Sequence, residues 1–284
     1  MKKPSVLNAF TIDVEGFVES NVQSFNIPEK YIDSSKENHE IEENTHYVMQ
    51  LLEEAGVKAT FFFVGRIARD IPRLIRTVAD AGHEIGCHNY AHVRIFNLEQ
   101  ENFRENLSTA KKSLEDVSGQ KVYGFRAPDF SITNKSLWAL DILKELGFLY
   151  DSSIYPVGLH DVYGIKDASS EIIQLPNQLI EVPMSTVEIL GNRIQLAGGG
   201  YFRLYPLWLT KMLMRKINSK GRPCVFYIHP YEVGPEIPLI REISPYRKFR
   251  HYYNCKNGKK RVRYLLQSFD FTSVINILRK NNFI

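Results

Sequence analysis

The chain has few cysteines and no long apolar run. Three cysteines occur among 284 residues and none forms a C-x-x-C pair, so we expect neither a disulfide framework nor a cysteine-rich zinc site. No window approaches the ~20 apolar residues of a membrane-spanning helix. The opening stretch, MKKPSVLNAFTIDVEG, lacks the apolar core of about 7–15 residues that a signal peptide requires. We therefore expect a protein of a reducing compartment and interpret it as cytoplasmic.

The chain also lacks a strong excess of charge. Its formal net charge is +4, which gives no argument for nucleic-acid binding but is compatible with an anionic glycan or a membrane surface. The one local excess is a basic run near the C-terminus, which either contacts acidic lipid or phosphate or is simply a solvated face. This run comprises Lys256, Lys259, Lys260, Arg261 and Arg263.

No repeat, linker or low-complexity segment divides the sequence. We therefore predict one domain over residues 1–284, with a basic and helical C-terminal extension at about 245–284, and leave oligomer formation open. Short apolar segments rich in aromatic and β-branched residues alternate with segments of helical spacing. The predicted strands lie at 5–12, 58–64, 83–87, 122–126, 148–151 and 223–228. The predicted helices lie at 43–56, 66–82, 98–118, 134–147 and 206–219. This alternation predicts an α/β fold, either a doubly wound sheet or a barrel, with ligands at the carboxyl ends of the strands.

Two pairs of metal-ligating side chains lie at predicted strand ends. His88 and His92 are four residues apart in GCHNYAH, a spacing that points both imidazoles the same way on a helix or a turn-like loop. Asp13 and Glu15 are two residues apart, so their carboxylates face the same side of a strand. Two histidines and one carboxylate are a common ligand set of catalytic zinc, and the second carboxylate then remains as a base. Each pair alone also fits surface histidines or a helix cap, but together at strand ends they favour a metal site.

Further candidate side chains follow other apolar segments. Arg126 ends the strand at 122–126 and precedes an Ala-Pro pair, so its charge could hold a catalytic aspartate ionised from a fixed turn. His229 follows PCVFYI and fits either a satisfied core histidine or a proton donor, because the imidazole pKa is near neutral. Tyr201 and Phe202 follow a triple-glycine loop without the Lys-Ser/Thr of a P-loop. They either line a sugar-binding groove or pack in the interior.

The motifs FTIDVEGF, ATFFFVG, HEIGCHNYAH, GFRAPDFSI, YDSSIYP and FYIHPYE together resemble the polysaccharide deacetylase superfamily, also called carbohydrate esterase family four. The stretches AGGGYFRLYP and FRHYYN resemble its branch associated with bacterial exopolysaccharide and exosortase gene clusters. The resemblance implies a single distorted (β/α) barrel of about seven strands. It also implies a divalent metal, most readily Zn²⁺ with Co²⁺ or Ni²⁺ as alternatives, and an N-acetylated glycan or glycolipid-linked precursor as the partner.

The resemblance also assigns roles to residues of the motifs. Asp13 matches the catalytic base, Arg126 the arginine that orients it, His229 the general acid, and Asp151 an aspartate that tunes this histidine. The metal ligands implied are Glu15, His88 and His92. The family usually has two adjacent aspartates where this chain has Asp13-Val14-Glu15, so the choice between Asp13 and Glu15 as the metal carboxylate stays open.

Substrate contacts are implied at the motif after Arg126 and near the triple glycine. We expect them at Pro128, Asp129, Phe130, Tyr201 and Phe202, with a backbone N–H near Asp129–Phe130 as the oxyanion donor. The function implied is hydrolysis of N-acetyl groups on an amino-sugar glycan. The alternatives are opening of a cyclic ureide or imide, as in allantoinases of a related branch, and a non-catalytic glycan-binding protein.

Overall fold

Short apolar strands and helices alternate along the chain in the computed structural model, which describes residues 6–24, 27–158, 162–196 and 198–284. The strands are β1 (Asn8–Val14), β2 (Thr60–Phe63), β3 (Glu84–Cys87), β4 (Gly124–Phe125), β5 (Tyr150–Asp151), β6 (Ile173–Gln174), β7 (Ile180–Glu181), β8 (Thr186–Ile189), β9 (Asn192–Gln195), β10 (Val225–Ile228) and β11 (Phe271–Thr272). The helices are α1 (Phe17–Asn21), α2 (Ser34–Glu54), α3 (Ile67–Asp70), α4 (Pro72–Asp80), α5 (Gln100–Ser118), α6 (Ala139–Glu145), α7 (Gly199–Leu204), α8 (Leu207–Asn218), α9 (Pro245–Tyr252), α10 (Gly258–Ser268) and α11 (Val274–Lys280).

The main sheet has the order β10-β1-β2-β3-β4-β5-β7-β6, and β11 also pairs with β1. Every pair in it is parallel except the edge pair β6–β7. The parallel path from β10 to β7 therefore contains the seven strands expected, and within the described residues its two edges do not pair, so the barrel stays open. All residues of β1, β2 and β3 are buried, as expected of parallel strands covered on both faces.

The predicted elements match the observed ones closely, and the differences have local causes. The helix predicted at 43–56 begins at Ser34, because the Asp33 carboxylate caps it by accepting from the backbone N–H groups of Ser35 and Lys36 at 3.1 Å. The helix predicted at 66–82 is divided into α3 and α4 at Pro72, which occupies the first position of α4.

The C-terminal segment from about residue 245 is helical, as expected, but most of it is built into the fold. β11 pairs with Asn8 and Ala9 of β1, and α11 buries four apolar residues. Strands from both ends of the chain thus share one sheet, which makes the chain one domain. Among the described residues no helix has the length and apolar character to cross a membrane.

The basic run near the C-terminus is largely occupied by contacts within the protein. Arg261 is buried and donates to the backbone carbonyl oxygens of Phe202 and Tyr205. Arg263 pairs with Glu54 at 2.6 Å, and the Lys259 ammonium lies 4.5 Å from the centre of the Tyr47 ring. Only Lys256 and Lys260 of this run are exposed, so the run offers little surface for lipid or phosphate.

Candidate active site

The carboxyl ends of the parallel strands bring the candidate side chains to one face of the sheet. Asp13 and Glu15 lie at the end of β1, and His88 follows β3 directly. Arg126 follows β4, and His229 follows β10. A cavity of about 1100 Å³ opens at this face, and Asp13, Glu15, His88, His92 and His229 all line it. This is the face that α/β barrels use for ligands.

Glu15, His88 and His92 form a compact cluster that could hold a metal ion. One ligand atom from each lies within 4.8 Å of the others, and all three residues are buried. The Glu15 Oε2 atom is 3.0 Å from His88 Nε2 and 2.9 Å from His92 Nε2. The sequence left open which carboxylate joins the histidines, and the structure groups Glu15 with them.

The hydrogen bonds of His88 are compatible with a divalent metal bound by this cluster. His88 Nδ1 lies 2.8 Å from the backbone carbonyl oxygen of Arg126, so Nδ1 must carry the proton that is donated to it. With Nδ1 as the donor, Nε2 of a neutral ring presents a lone pair to the Glu15 carboxylate at 3.0 Å, an arrangement that a cation between the two atoms would satisfy. Imidazole and carboxylate donors suit Zn²⁺, with Co²⁺ or Ni²⁺ as alternatives.

Asp13 lies beside this cluster and pairs with a fully buried arginine. Arg126 Nη1 is 2.7 Å from Asp13 Oδ1 and donates also to Thr11 Oγ1 at 2.7 Å. Its other nitrogens donate to the Ser152 carbonyl and hydroxyl oxygens at 3.1 and 3.0 Å, and the guanidinium lies 4.3 Å from the Phe62 ring centre. These contacts fix the arginine, so it in turn fixes the Asp13 carboxylate.

His229 stands opposite the cluster, with Nε2 3.4 Å from Glu15 Oε1. Its Nδ1 is 3.0 Å from Glu232 Oε2, and Glu232 Oε1 accepts from Arg203 Nε at 2.8 Å. Burial alone lowers the pKa of His229, but the charges of Glu232 and Glu15 raise it to about 9. Burial alone raises the pKa of Glu232, but Arg203 and His229 lower it to about 2. An arginine–carboxylate–histidine chain therefore orients the imidazole.

Among the described residues, the carboxylate that contacts His229 Nδ1 is Glu232, whereas the contacts of Asp151 are to other groups, so the role of Asp151 in tuning His229 stays a prediction. Asp151 ends β5, which is five strands from β10 in the sheet, and its carboxylate accepts from the Ser153 hydroxyl at 2.5 Å. Burial raises the pKa of Asp151 to about 6, and it also raises the pKa of its partner Glu181. Glu232 lies three residues after His229 in HPYE, a capping-box spacing that could have revealed it. Its partner Arg203 carried no such sequence signal.

The predicted substrate contacts divide into two groups. Asp129, Phe130 and Tyr201 line the cavity, whereas Pro128 and Phe202 do not. Pro128 is the first residue of the turn at Pro128–Phe130 and is buried. Phe202 is 2% exposed and packs edge-to-face on Phe226 with ring centres 4.9 Å apart, so its prediction as a substrate contact is wrong.

The turn after Arg126 has an unusual backbone. Asp129 and Phe130 both adopt positive φ angles, 53° and 52°, which are uncommon for residues other than glycine. The Asp129 carboxylate is held by Arg94 Nε at 2.6 Å. The Phe130 and Ser131 N–H groups donate to the carbonyl oxygens of Ala127 and Pro128 at 3.0 and 3.1 Å, so within this turn the Asp129 N–H is left to serve a ligand.

Glycine is required where the triple glycine meets this cavity. The sequence predicts a loop at residues 198–200, but Gly199 and Gly200 form the start of α7 and only Gly198 precedes the helix. Gly198 has φ 85°, and a Cβ atom there would lie 2.0 Å from the Tyr227 ring. A side chain at this position would clash with Tyr227, so α7 can follow here only from a glycine. On successive positions of this helix, Tyr201 lines the cavity and Phe202 is buried.

Comparison with known proteins gives two family matches. Residues 30–150 match the family described as polysaccharide deacetylase, and residues 152–279 match a domain of unknown function, DUF3473. The two histidines of the metal cluster and Arg126 lie in the first match, and His229 lies in the second. Asp13 and Glu15 precede both.

Curated relatives are similar over part of their length. The chain is 29% identical over 100 residues to a peptidoglycan-N-acetylglucosamine deacetylase of Bacillus cereus, covering 35% of this chain and 36% of that protein. It is 36% identical over 85 residues to a chitooligosaccharide deacetylase of Azorhizobium caulinodans, covering 30% of this chain and 40% of that protein. The chain thus spans well under half the length of these relatives.

Solved structures share the whole fold. A crystal structure from Mycobacterium smegmatis assigned to the polysaccharide deacetylases aligns at TM-score 0.65 and 21% identity, covering 99% of this chain and 91% of that one. An allantoinase, PuuE, aligns at TM-score 0.63 and 16% identity, covering 98% and 91%. At these identities the likeness concerns the fold alone, and it confirms the predicted (β/α) barrel. The motifs and the first family match go further: the chain contains a polysaccharide deacetylase domain of carbohydrate esterase family four, matched over residues 30–150.

Proposed function

We propose that this chain is a divalent-metal-dependent hydrolase that removes N-acetyl groups from an amino-sugar glycan. The observation that carries the proposal is the convergence of Glu15, His88 and His92 beside a second carboxylate, Asp13, in one cavity. The curated relatives named above are deacetylases of N-acetylated glycans, which supports the same reaction here. The DUF3473 match and the AGGGYFRLYP stretch direct the proposal toward exopolysaccharide precursors.

The metal would be held by Glu15, His88 and His92. When bound, it supplies a Lewis acid that lowers the pKa of a water molecule and offsets negative charge on the carbonyl oxygen. Asp13, held by Arg126, takes the proton from the attacking water. The N–H of Asp129 donates to the oxygen that becomes negative as the carbonyl is attacked.

The departing amine needs a proton, and His229 is placed to provide it. Glu232 holds Nδ1, which turns Nε2 toward Glu15 and therefore toward the reacting centre. Donation from Nε2 to the nitrogen of the amide completes cleavage of the C–N bond. The products are acetate and a free amino sugar.

The test is acetate release from tetra-N-acetylchitotetraose by the full chain, with and without added Zn²⁺, Co²⁺ or Ni²⁺. We expect release that a chelator abolishes and a divalent metal restores. Allantoin, assayed in parallel, addresses the ring-opening alternative. Hydrolysis of allantoin without acetate release would contradict the proposal. A protein that binds no metal and gains no activity from any would instead be a glycan-binding member without catalysis.

A further inference from the structure

One wall of the cavity is an exposed helix with no buried residue, α9. Its large aromatic side chains are exposed to solvent, with Tyr246 70% and Phe249 52% exposed. Tyr253, which follows the helix, is also exposed and packs on Phe249 with ring centres 4.8 Å apart. All three line the cavity, so these rings face the cavity, whereas Tyr252 of the same helix packs on the buried Phe17 with ring centres 5.5 Å apart.

The position of α9 is fixed from the active site. Arg203 Nη1 donates to the carbonyl oxygens of His251 and Tyr253 at 3.0 and 2.9 Å, and Nη2 donates to that of Arg250 at 3.2 Å. The same guanidinium pairs with Glu232, the carboxylate that holds His229. The open aromatic surface is therefore held at a defined place relative to the catalytic histidine.

The α9 side of the cavity carries arginine side chains. Among the described residues, the carboxylates that line the cavity all have cationic partners or histidines within the protein: Asp13, Glu15, Asp129 and Glu232. Arg247 and Arg250 of α9 also line the cavity. Arg250 is exposed and forms no ion pair with any described residue. A divalent metal at Glu15 would add further positive charge.

We propose that α9 forms a subsite for an anionic N-acetylated saccharide, in which Tyr246 and Phe249 pack on sugar rings while Arg247 and Arg250 bind a carboxylate or phosphate group. This inference rests on the proposed function, since it names the substrate class of the same site. Aromatic rings offer flat apolar area, and the planar arginine fork matches the oxygens of both kinds of anion. A cavity of about 1100 Å³ has room for more than one sugar unit, so the anionic group need not sit at the metal.

The test compares the affinity of the zinc-loaded full chain for three ligands by calorimetry. They are neutral tetra-N-acetylchitotetraose, the same tetrasaccharide with a reducing-end phosphate, and an N-acetylated tetrasaccharide containing a uronic acid. We expect at least one anionic ligand to bind about tenfold more tightly than the neutral one, with a preference that declines as salt rises. The arm that gains affinity identifies the anion as phosphate or carboxylate.

Variants locate the preference on α9. The double substitution Arg247→Gln and Arg250→Gln is expected to lower the ratio of anionic to neutral affinity about tenfold. Lys248→Gln is the matched control, because Lys248 lies on the same helix but does not line the cavity, and it should keep the ratio. Equal affinities for all three ligands, or a ratio that survives the double substitution, would overturn the subsite.

Two further outcomes separate this inference from its neighbours. Should the double variant lose binding to anionic phospholipid vesicles while its glycan ratio is unchanged, α9 serves a membrane surface and the subsite is wrong. Acetate release from the neutral oligosaccharide without any anionic preference would leave the proposed function standing and remove the subsite. An anionic preference in binding without acetate release from any ligand would support the subsite and contradict the proposed deacetylase function.

Discussion

Separate substitution of Asp13 and Glu15 tests which of these two carboxylates is the general base and which is the metal ligand. Asp13→Asn keeps an oxygen that can accept from Arg126 but removes the charge that lies 2.7 Å from this buried guanidinium. Glu15→Gln removes the charged atom that lies 3.0 and 2.9 Å from the two imidazoles. If Asp13 is the base and Glu15 the ligand, the first change should spare the metal and the second should not.

The expected magnitudes follow from these contacts. Asp13→Asn should lower the turnover number by about 10²–10⁴, the usual contribution of a general base, with zinc affinity nearly unchanged. It should also destabilise the fold by up to about 3–5 kcal/mol, because Arg126 loses its buried counter-charge. Glu15→Gln should lower zinc affinity by at least about 100-fold, since even residues that only support a ligand contribute about 10–100-fold.

Equilibrium dialysis with Zn²⁺ followed by metal analysis measures the affinity, and acetate release at saturating metal measures turnover. Thermal unfolding of each variant shows that it is assayed in its folded state. Should Asp13→Asn lose the metal while Glu15→Gln retains it, the assignment of base and ligand is reversed. Full activity of Asp13→Asn would remove Asp13 from the reaction altogether.

Three further changes test other parts of the structure. Glu232→Gln should lower turnover by about 10²-fold at unchanged zinc content, and unchanged turnover would exclude Glu232 as the carboxylate that orients the general acid. Phe202→Ala should destabilise the fold by about 3–5 kcal/mol in denaturant titration, whereas Tyr201→Ala should cost less stability but weaken glycan affinity; the opposite order would contradict their placement. Burial raises the pKa of Glu40 from 4.5 to about 8, so its contribution to stability is present below pH 4.5 and lost as the pH rises through 8. The melting temperature should therefore fall between pH 5 and 8 more for the parent than for Glu40→Gln, and parallel curves would show that the Glu40 pKa is ordinary.

Local sequence patterns predicted the strands and several residues of the site. Buried parallel strands require continuous apolar runs such as TFFF and VFYI, and these occur at β2 and β10. Because parallel strands place their carboxyl ends together, Asp13, His88 and His229 could be expected at one face before their distances were known. The capping-box spacing of HPYE also contained a signal that Glu232 contacts His229.

Other features depend on contacts between distant parts of the chain. Arg203 meets Glu232 across 29 residues and the end of α9 across nearly 50, and no local pattern encodes such a meeting. Tyr201 and Phe202 are neighbours of similar chemistry, yet the direction of α7 sends one to the cavity and the other to the interior.

By itself, the sequence determined the α/β class, the positions of most strands and the two histidines of the candidate metal cluster, because each depends on residues a few positions apart. Only the tertiary structure decided which carboxylate joins the histidines, which acid orients His229, and that a basic aromatic helix forms a cavity wall. These depend on the order of strands in the sheet and on the packing of the C-terminal helices, which bring together residues that are far apart in the chain.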